Sequence, residues 1–257
     1  MNVVAFDIET VPDVAGGRRV YGLDDLDDEA VAKAMAQLRW QKTGSEFLPH
    51  HLHRVVAIAI VLHRGDTVRL WSLGDPAAAE AELVGRFFDG LERFTPTLIS
   101  WNGSGFDLPV LHYRALLNGV AAPRYWEVGE EDRSFRYNNY LGRFHWRHID
   151  LMDVLAGYQH RAAAPLEEIA CMLGLPGKLG RSGAGVWDAY REGDLAGIRD
   201  YCEIDVLNTY LIYLRFERMR GGLTSEGYQT ACTRVQETLE ALDRPHLNEF
   251  LSAWTRG

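Results

Sequence analysis

Acidic residues that could share a metal ion occur in three separate parts of the sequence, and the first part holds a close pair. Asp7 and Glu9 are two residues apart at the end of an apolar run, residues 3–8, that predicts a buried strand. Because side chains alternate along a strand, both carboxylates point to one face. Two such carboxylates repel each other and lose hydration, so a divalent cation between them would stabilise the pair. Taken alone, the spacing also fits solvated acids at a strand end.

The other two candidate acids are Asp107 and Asp205. Asp107 follows a tight turn, residues 102–105, at a predicted strand-to-helix junction where the edge of a sheet opens into a cleft. It fits the N-cap position of the following helix equally well. Asp205 lies in a predicted helix, residues 194–219, one turn after Tyr201 and on the same inward side. An inward acid in mid-helix is costly unless it is paired or binds a metal, whereas Tyr201 alone also fits an ordinary core aromatic.

Together these four carboxylates indicate two-metal phosphoryl chemistry. Such a site holds two divalent cations between hard oxygen ligands, which activate water and stabilise the attacking and leaving oxygens. The sequence shows no thiol or histidine cluster at these positions, which favours Mg²⁺ or Mn²⁺ over Zn²⁺. The phenol of Tyr201 is protonated at neutral pH, so we expect it to orient the attacking water rather than deprotonate it.

The elements that must position these residues form an α/β pattern. Five short apolar segments are predicted strands: residues 3–8, 54–62, 67–73, 97–101 and 148–151. A hairpin turn joins the second and third of them. Helices are predicted from an N-cap at Asp75, then over residues 106–118, 165–173 and 194–219, and after Gly222 with a break at Pro245. This order predicts a mixed sheet flanked by helices in one domain, residues 1–257, with an insertion at 11–53 and a helical extension at 222–257.

Composition narrows the class of protein. The chain has 257 residues and a net charge of −9, which argues against strong sequence-independent binding to duplex nucleic acid. Nucleic acid remains a possible substrate, because bound cations reverse the field of a carboxylate cluster. We see no signal peptide and no apolar run long enough to cross a bilayer. The three cysteines form no close pair, which is typical of reduced thiols and predicts a cytoplasmic protein.

Three short motifs resemble those of the DEDD superfamily of 3′–5′ exonucleases, in its tyrosine branch. They are residues 6–10, Asn102-x-x-x-Phe106-Asp107 and Tyr201-x-x-x-Asp205. The histidine branch would have a histidine where this chain has Asp200. As a whole, the chain resembles the stand-alone predicted exonucleases related to the proofreading domain of family B DNA polymerases. The resemblance implies an RNase H-like fold with a five-stranded mixed sheet, and implies that Asp7, Glu9 and Asp205 contact two metals, with Asp107 completing the site.

The resemblance also implies a reaction and its partners. We expect hydrolysis at the 3′ end of single-stranded nucleic acid, with DNA favoured and nucleoside monophosphates released. Substrate contacts are expected from four residues: Thr10, Asn102, Phe106 and Lys178. No polymerase domain follows the motifs, so a free-standing nuclease, or one recruited by a protein partner, is implied. Two alternatives stay open: an RNA-directed 3′–5′ exoribonuclease, and a catalytically silent RNase H-like module that binds nucleic acid or a partner.

Weaker signals occur in three loops. Lys178 and Arg181 lie in a glycine-rich loop and could contact phosphate, although a plain flexible loop fits as well. Residues 133–147 interleave arginines with aromatic residues, which suits either single-strand binding or a loop packed on the body. The histidines at 50, 51 and 53 match no standard metal site, so we interpret them as part of a polar loop.

Overall fold

A five-stranded mixed sheet forms the centre of the fold in the computed structural model, which describes residues 1–180 and 182–254. The strands are β1 (Asn2–Pro12), β2 (His53–Arg64), β3 (Thr67–Ser72), β4 (Thr97–Ser100) and β5 (His148–Asp150). They are arranged in the order β3-β2-β1-β4-β5, with β2 antiparallel to β1 and β3, and β4 parallel to β1 and β5. The predicted RNase H-like sheet is therefore confirmed. Arg181 lies outside the described residues.

Helices cover both faces of the sheet. They are α1 (Val14–Tyr21), α2 (Asp28–Thr43), α3 (Glu80–Phe94), α4 (Asp107–Asn118), α5 (Pro123–Trp126), α6 (Leu151–Leu155), α7 (Leu166–Met172), α8 (Val186–Glu192), α9 (Leu195–Met219), α10 (Ser225–Leu242) and α11 (Pro245–Trp254). Helices α3 and α4 pack on one face, and α9 packs across the other with α10 and α11 behind it. Within the described ranges, no helix is both long and apolar enough to span a membrane.

Alternation along β1 assigns its side chains to the two faces. Phe6 and Ile8 belong to the core under α3 and α4, whereas Val3 and Ala5 belong to the core under α9. Residues at odd positions therefore point toward α9. This places Asp7 and Glu9 on the α9 side, at the end of β1 that follows this core. The local pattern of one strand thus directs both carboxylates at one helix.

The long helix α9 is surrounded by protein over its middle turns. The Asp194 carboxylate accepts a hydrogen bond from the backbone N–H of Gly197 (2.9 Å) and caps the start of the helix. From Tyr201 to Leu214 every residue is buried, because the sheet covers one side and α7, α8, α10 and α11 cover much of the rest. The helix is therefore a fixed element that carries Tyr201 and Asp205 to the sheet.

The start of α3 differs from the prediction, which placed its N-cap at Asp75 and its first turn at Pro76. The helix begins at Glu80, after a turn in which the N–H of Ala78 donates to the carbonyl of Asp75 (2.9 Å). The Glu80 carboxylate is buried, where it accepts a hydrogen bond from the N–H of Val55 (2.7 Å) and pairs with Arg114. This buried tertiary contact outweighs the local capping signal of Asp75-Pro76.

The segment between β1 and β2 builds a small apolar cluster of its own. Helices α1 and α2 and the following 3-10 turn bury four side chains together: Val31, Met35, Leu48 and Leu52. The cluster is tied to the sheet body by Arg114 of α4, whose guanidinium donates to the Asp13 carboxylate (2.6 Å) at the start of α1. The segment predicted as an insertion is therefore ordered around its own contacts.

Candidate active site

Strand β1 presents Asp7 and Glu9 where it extends past its neighbour β4. Because β4 ends at Ser100, the backbone N–H of Ile8 has no strand partner on that side, and it donates to the Asp107 carboxylate (3.2 Å) instead. The register between β1 and β2 shifts between Glu9 and Thr10. Such irregularities bend a strand and re-aim its side chains. The strand end thereby brings Asp107 beside the first acidic pair.

A tight turn between β4 and α4 places Asp107. The Asp150 carboxylate accepts hydrogen bonds from the backbone N–H groups of Asn102 (2.9 Å) and Ser104 (2.8 Å) and so fixes the turn. Asn102 has a positive φ of 64°, and a side chain at Gly105 would collide with the Asn102 side chain. Asp150, which lies at the end of β5, therefore acts on the site through the shape of this turn.

Helix α9 contributes Tyr201 and Asp205 from successive turns. The Lys178 ammonium, from the loop after α7, donates to the Tyr201 hydroxyl (2.6 Å) and to Asp205 Oδ2 (2.6 Å). Lys178, Tyr201 and Asp205 thus meet at the carboxylate cluster. Asp205 is the fourth predicted acid, and its charge acts on Asp7, Glu9 and Asp107. The structure brings together every acid that the sequence singled out, and it adds Lys178 as a cation at their centre.

Burial and mutual repulsion raise the pKa of the clustered acids. Burial is the largest cause for Asp7, whose pKa is raised well above its usual value, and the charges of Asp107, Asp205 and Glu9 add to the effect. The pKa of Glu9 is likewise raised by burial and by Asp205. Burial raises the pKa of Asp107 to about 7. Such a cluster favours bound cations or protons over free carboxylates.

Asp205 shows the same imbalance despite its ammonium partner. Burial raises its pKa, and the charge and hydrogen bond of Lys178 oppose that rise only in part. Its second oxygen, Oδ1, is buried and has no hydrogen-bond partner among the described residues. An unsatisfied carboxylate oxygen facing three other carboxylates suits a hard divalent cation. The donor set therefore fits the metal ions that the sequence predicts.

Cys202 is a site neighbour that the sequence-based argument missed. Its buried thiol donates to the backbone carbonyl of Asp7 (3.4 Å), and its sulfur lies within 4.8 Å of candidate ligand atoms of Asp7 and Glu9. The sequence shows no cluster of thiols at these positions, but one thiol does lie beside the first acidic pair. Burial, followed by the charge of Asp7, raises the pKa of the thiol well above its usual value, so a neutral thiol holds the Asp7 backbone. The spacing of Cys202 from Ile198 and Asp205 predicts that the thiol lies on the inward side of α9. That spacing does not predict which strand the thiol contacts.

Three of the predicted substrate residues, Thr10, Asn102 and Phe106, lie next to the acids in the chain or in the turn that places Asp107, and the fourth, Lys178, lies among the acids. The Thr10 hydroxyl is hydrogen-bonded to His53 Nδ1 (2.9 Å), and Phe106 is partly exposed just before α4. Asn102 lies in the turn that precedes Phe106, and the Lys178 ammonium contacts Asp205 within the cluster. The histidines of residues 50–53 make hydrogen bonds and ring contacts rather than a metal cluster in the described residues.

The loop of arginines and aromatics divides into a packed part and an exposed part. Phe135 and Tyr140 are buried, and the Arg147 guanidinium lies 3.9 Å from the centroid of the Phe135 ring. Tyr137 and Phe144 point outward. The packed interpretation therefore holds for the core of the loop, and the exposed rings remain available for other contacts.

Comparison with known proteins agrees with this geometry. A family model described as "Predicted 3'-5' exonuclease related to the exonuclease domain of PolB" matches residues 45–254. The match includes Asp107, Tyr201 and Asp205 but begins after Asp7 and Glu9, whose place in the site therefore rests on the structure. A comparison with curated proteins finds no match. Because the family model covers most of the chain, the protein belongs to the family of predicted 3′–5′ exonucleases related to the exonuclease domain of PolB.

Proposed function

We propose that the protein is a metal-dependent 3′–5′ exonuclease of the DEDD tyrosine branch, acting on single-stranded nucleic acid with DNA favoured. The observation that carries this proposal is the convergence of four carboxylates, with a buried Asp205 oxygen that has no partner, beside the Tyr201 hydroxyl. A purely structural carboxylate would have its hydrogen bonds satisfied. The order of the motifs along the chain and the family membership both support a nuclease.

In this proposal Asp7, Glu9, Asp107 and Asp205 hold two divalent cations, Mg²⁺ or Mn²⁺. When bound, the cations supply positive charge that makes water more acidic and stabilises the charge on the reacting phosphate. The four carboxylates stay close together because the core fixes the elements that carry them, β1, α4 and α9. The positive charges of the bound cations would also offset the repulsion between a chain of net charge −9 and a polyanionic substrate.

Tyr201 and Lys178 act on the reacting groups directly. Burial, followed by the charge of Asp205, raises the pKa of the Tyr201 phenol, so the hydroxyl stays protonated and orients water instead of removing its proton. Although burial lowers the pKa of Lys178, the charge and hydrogen bond of Asp205 raise it overall. Lys178 therefore remains a cation that can contact the phosphate beside the cluster. Thr10, Asn102 and Phe106 would hold the rest of the terminal nucleotide.

We further propose that one exonuclease domain spans residues 1–257, with an insertion at 11–53 and a helical extension at 222–257. The protein acts in the cytoplasm, either on its own or after recruitment to nucleic acid ends by a protein partner.

The test uses oligonucleotides of DNA and RNA, single-stranded and duplex, labelled at either end. With Mg²⁺ or Mn²⁺, a 3′ label should appear at once as mononucleotide, while a 5′ label should run as a descending ladder. EDTA should abolish both signals, and Asp7→Ala should lower the rate by several orders of magnitude. Early internal fragments would assign an endonuclease instead. Faster hydrolysis of RNA would assign an exoribonuclease, and binding without hydrolysis would assign a silent module.

A further inference from the structure

An exposed aromatic ring of the segment before β2 lies beside the candidate site. Phe47 is 58% exposed, and its neighbour Leu48 fills the small cluster under α1 and α2. The Phe47 ring points the other way, with its centroid 5.6 Å from that of Phe106 and 5.2 Å from that of His53. A large apolar ring left in solvent beside charged groups indicates a contact surface rather than core packing.

The same segment closes on the turn that places Asp107. The His50 ring lies 5.8 Å from the Phe106 ring, and His50 Nε2 is 2.8 Å from the carbonyl oxygen of Gly105. His53, three residues later, is hydrogen-bonded to Thr10, which directly follows Glu9. Phe47, His50 and Phe106 therefore form one aromatic rim that touches both motif-bearing segments of the cluster.

The backbone of the segment is held without using the Phe47 ring. The Phe47 carbonyl accepts a hydrogen bond from Arg39 Nε (3.2 Å), and its N–H donates to the Ser45 hydroxyl (3.2 Å). The small apolar cluster and the Arg114–Asp13 ion pair fix the segment to the body. The ring is thus positioned in advance, which lowers the entropy lost when a flat ligand stacks on it.

We propose that the aromatic rim stacks a nucleobase that flanks the scissile phosphate, so that residues 44–53 are part of the substrate site. This inference rests on the proposed exonuclease function. The charged cluster suits the phosphate, whereas the rim offers ring faces, which bind any unpaired base without reading its sequence. In a duplex the neighbouring base pairs stack on the ring faces of an internal base, so a base must leave that stack to offer a face to the rim, and the rim therefore favours single-stranded or frayed ends.

The experiment pairs a protein change with a substrate change. Phe47→Ala should lower kcat/KM about tenfold on an ordinary single-stranded end, the scale of one lost base–aromatic stack. On an end with an abasic site at the terminal or the penultimate nucleotide, one of the two positions should reduce the loss to less than about twofold. That position identifies the stacked base. Phe47→Trp should retain wild-type rates.

Leu116→Ala is the control, because Leu116 is also a large apolar side chain, is 78% exposed and lies near the end of α4, away from the aromatic rim. It should leave kcat/KM unchanged on every end. Equal losses for Phe47→Ala on ordinary ends and on both abasic ends would overturn the stacking role, as would no loss at all. These outcomes require an active wild-type protein, so a wild type that hydrolyses no end overturns the proposed function separately. Unchanged melting of Phe47→Ala excludes a folding effect.

Discussion

Helix α9 carries two buried acids, Glu203 and Asp205, whose surroundings are opposite. They are two residues apart, so their side chains leave the helix about 200° apart. Glu203 is 1% exposed and Asp205 is 4% exposed. By residue type and burial alone they are equivalent, and each belongs to a cluster of acidic groups. What separates them is the set of donors around each carboxylate.

The carboxylate of Glu203 is fully supplied with donors. It accepts hydrogen bonds from Ser72 Oγ (2.8 Å), Arg244 Nη2 (2.6 Å) and His246 Nε2 (2.9 Å). Burial alone would raise its pKa, but the hydrogen bond from His246 and the charge of Arg244 lower it overall. Two of the donors belong to the start of the C-terminal helix: Arg244 directly precedes α11, and His246 lies in its first turn. The Glu203 cluster therefore attaches the C-terminal helix to α9.

The carboxylate of Asp205 is supplied only in part. Lys178 satisfies one oxygen, whereas Oδ1 has no partner among residues 1–180 and 182–254, and burial raises the pKa. A satisfied carboxylate stabilises the fold, whereas an unsatisfied one among other acids is stabilised by a further cation or by a proton. The number of donors around a buried carboxylate therefore distinguishes a structural acid from a candidate metal ligand.

Asp205→Asn should have the largest effect, and the effect should fall on activity. The substitution removes a carboxylate charge that we assign to metal binding, so kcat should drop by roughly 10³-fold or more. Metal-free Tm should stay equal to wild type or rise, since carboxylate repulsion is relieved. Hydrolysis rates and thermal melts on the same preparation measure both. Wild-type turnover in Asp205→Asn would remove the acid from the site.

Glu203→Gln should show the reverse pattern. The change leaves the guanidinium of Arg244, whose side chain is 35% exposed, without its charged partner, and losing such a half-exposed pair should cost about 2 kcal/mol. Chemical denaturation should show this loss of unfolding free energy, while the rate per folded molecule stays near wild type. A variant that lost activity without losing stability would show that the two clusters do not divide their roles in this way.

The sequence could predict the elements and the acids but not their partners. Asp7, Glu9, Asp107 and Asp205 were identifiable because strand alternation, a strand-to-helix turn and helical spacing each leave a local pattern. The five-stranded sheet follows from the same patterns and is confirmed. The role of each acid stays a prediction, as does the division of the chain into one domain with an insertion.

The Tyr201-x-x-x-Asp205 spacing singled out Asp205, but no local pattern shows how the partners of Glu203 and Asp205 differ, because those partners lie far away in the chain. Ser72 and Arg244 reach Glu203 through tertiary packing, and Lys178 reaches Asp205 from a glycine-rich loop without periodicity. The predicted start of α3 was wrong for a similar reason, since the buried contact between Glu80 and Arg114 leaves no local pattern in the sequence. Long-range pairing of charges therefore limits what one sequence reveals.

Tyr201→Phe should have an intermediate effect on the unsatisfied cluster. The hydroxyl accepts a hydrogen bond from Lys178 (2.6 Å) and lies one helical turn from Asp205. Losing a group that orients water should lower kcat by roughly 10- to 1,000-fold. Calorimetry should find metal affinity nearly unchanged, because no ligand is removed and the ring keeps its space. Unchanged kcat at saturating Mg²⁺ and substrate would return Tyr201 to the core.

The smallest expected effect is a dependence of metal-free stability on pH, with opposite signs at the two clusters. Burial raises the pKa of Asp107 from 3.8 to about 7, so the folded protein binds more protons than the unfolded chain between these values. The free energy of unfolding should therefore fall as pH rises from about 4 to about 7, and Tm should fall with it. The lowered pKa of Glu203 acts the other way: its stabilisation is complete above pH 4.5 and is lost on acidification.

Variants and metal separate these two contributions in thermal melts of metal-stripped protein. Asp107→Asn should make the fall between pH 4 and pH 7 shallower, because one of the four acids with a raised pKa is gone, and Glu203→Gln should leave the fall in place. Saturating Mn²⁺ should reverse it, since a cation binds the deprotonated carboxylates and adds stability as protons leave. If the wild-type Tm instead rose over this range without metal, then the Asp107 carboxylate would be as well supplied with donors as Glu203. The two clusters would then not differ in the direction of their pKa shifts, even if the variants still differed in activity.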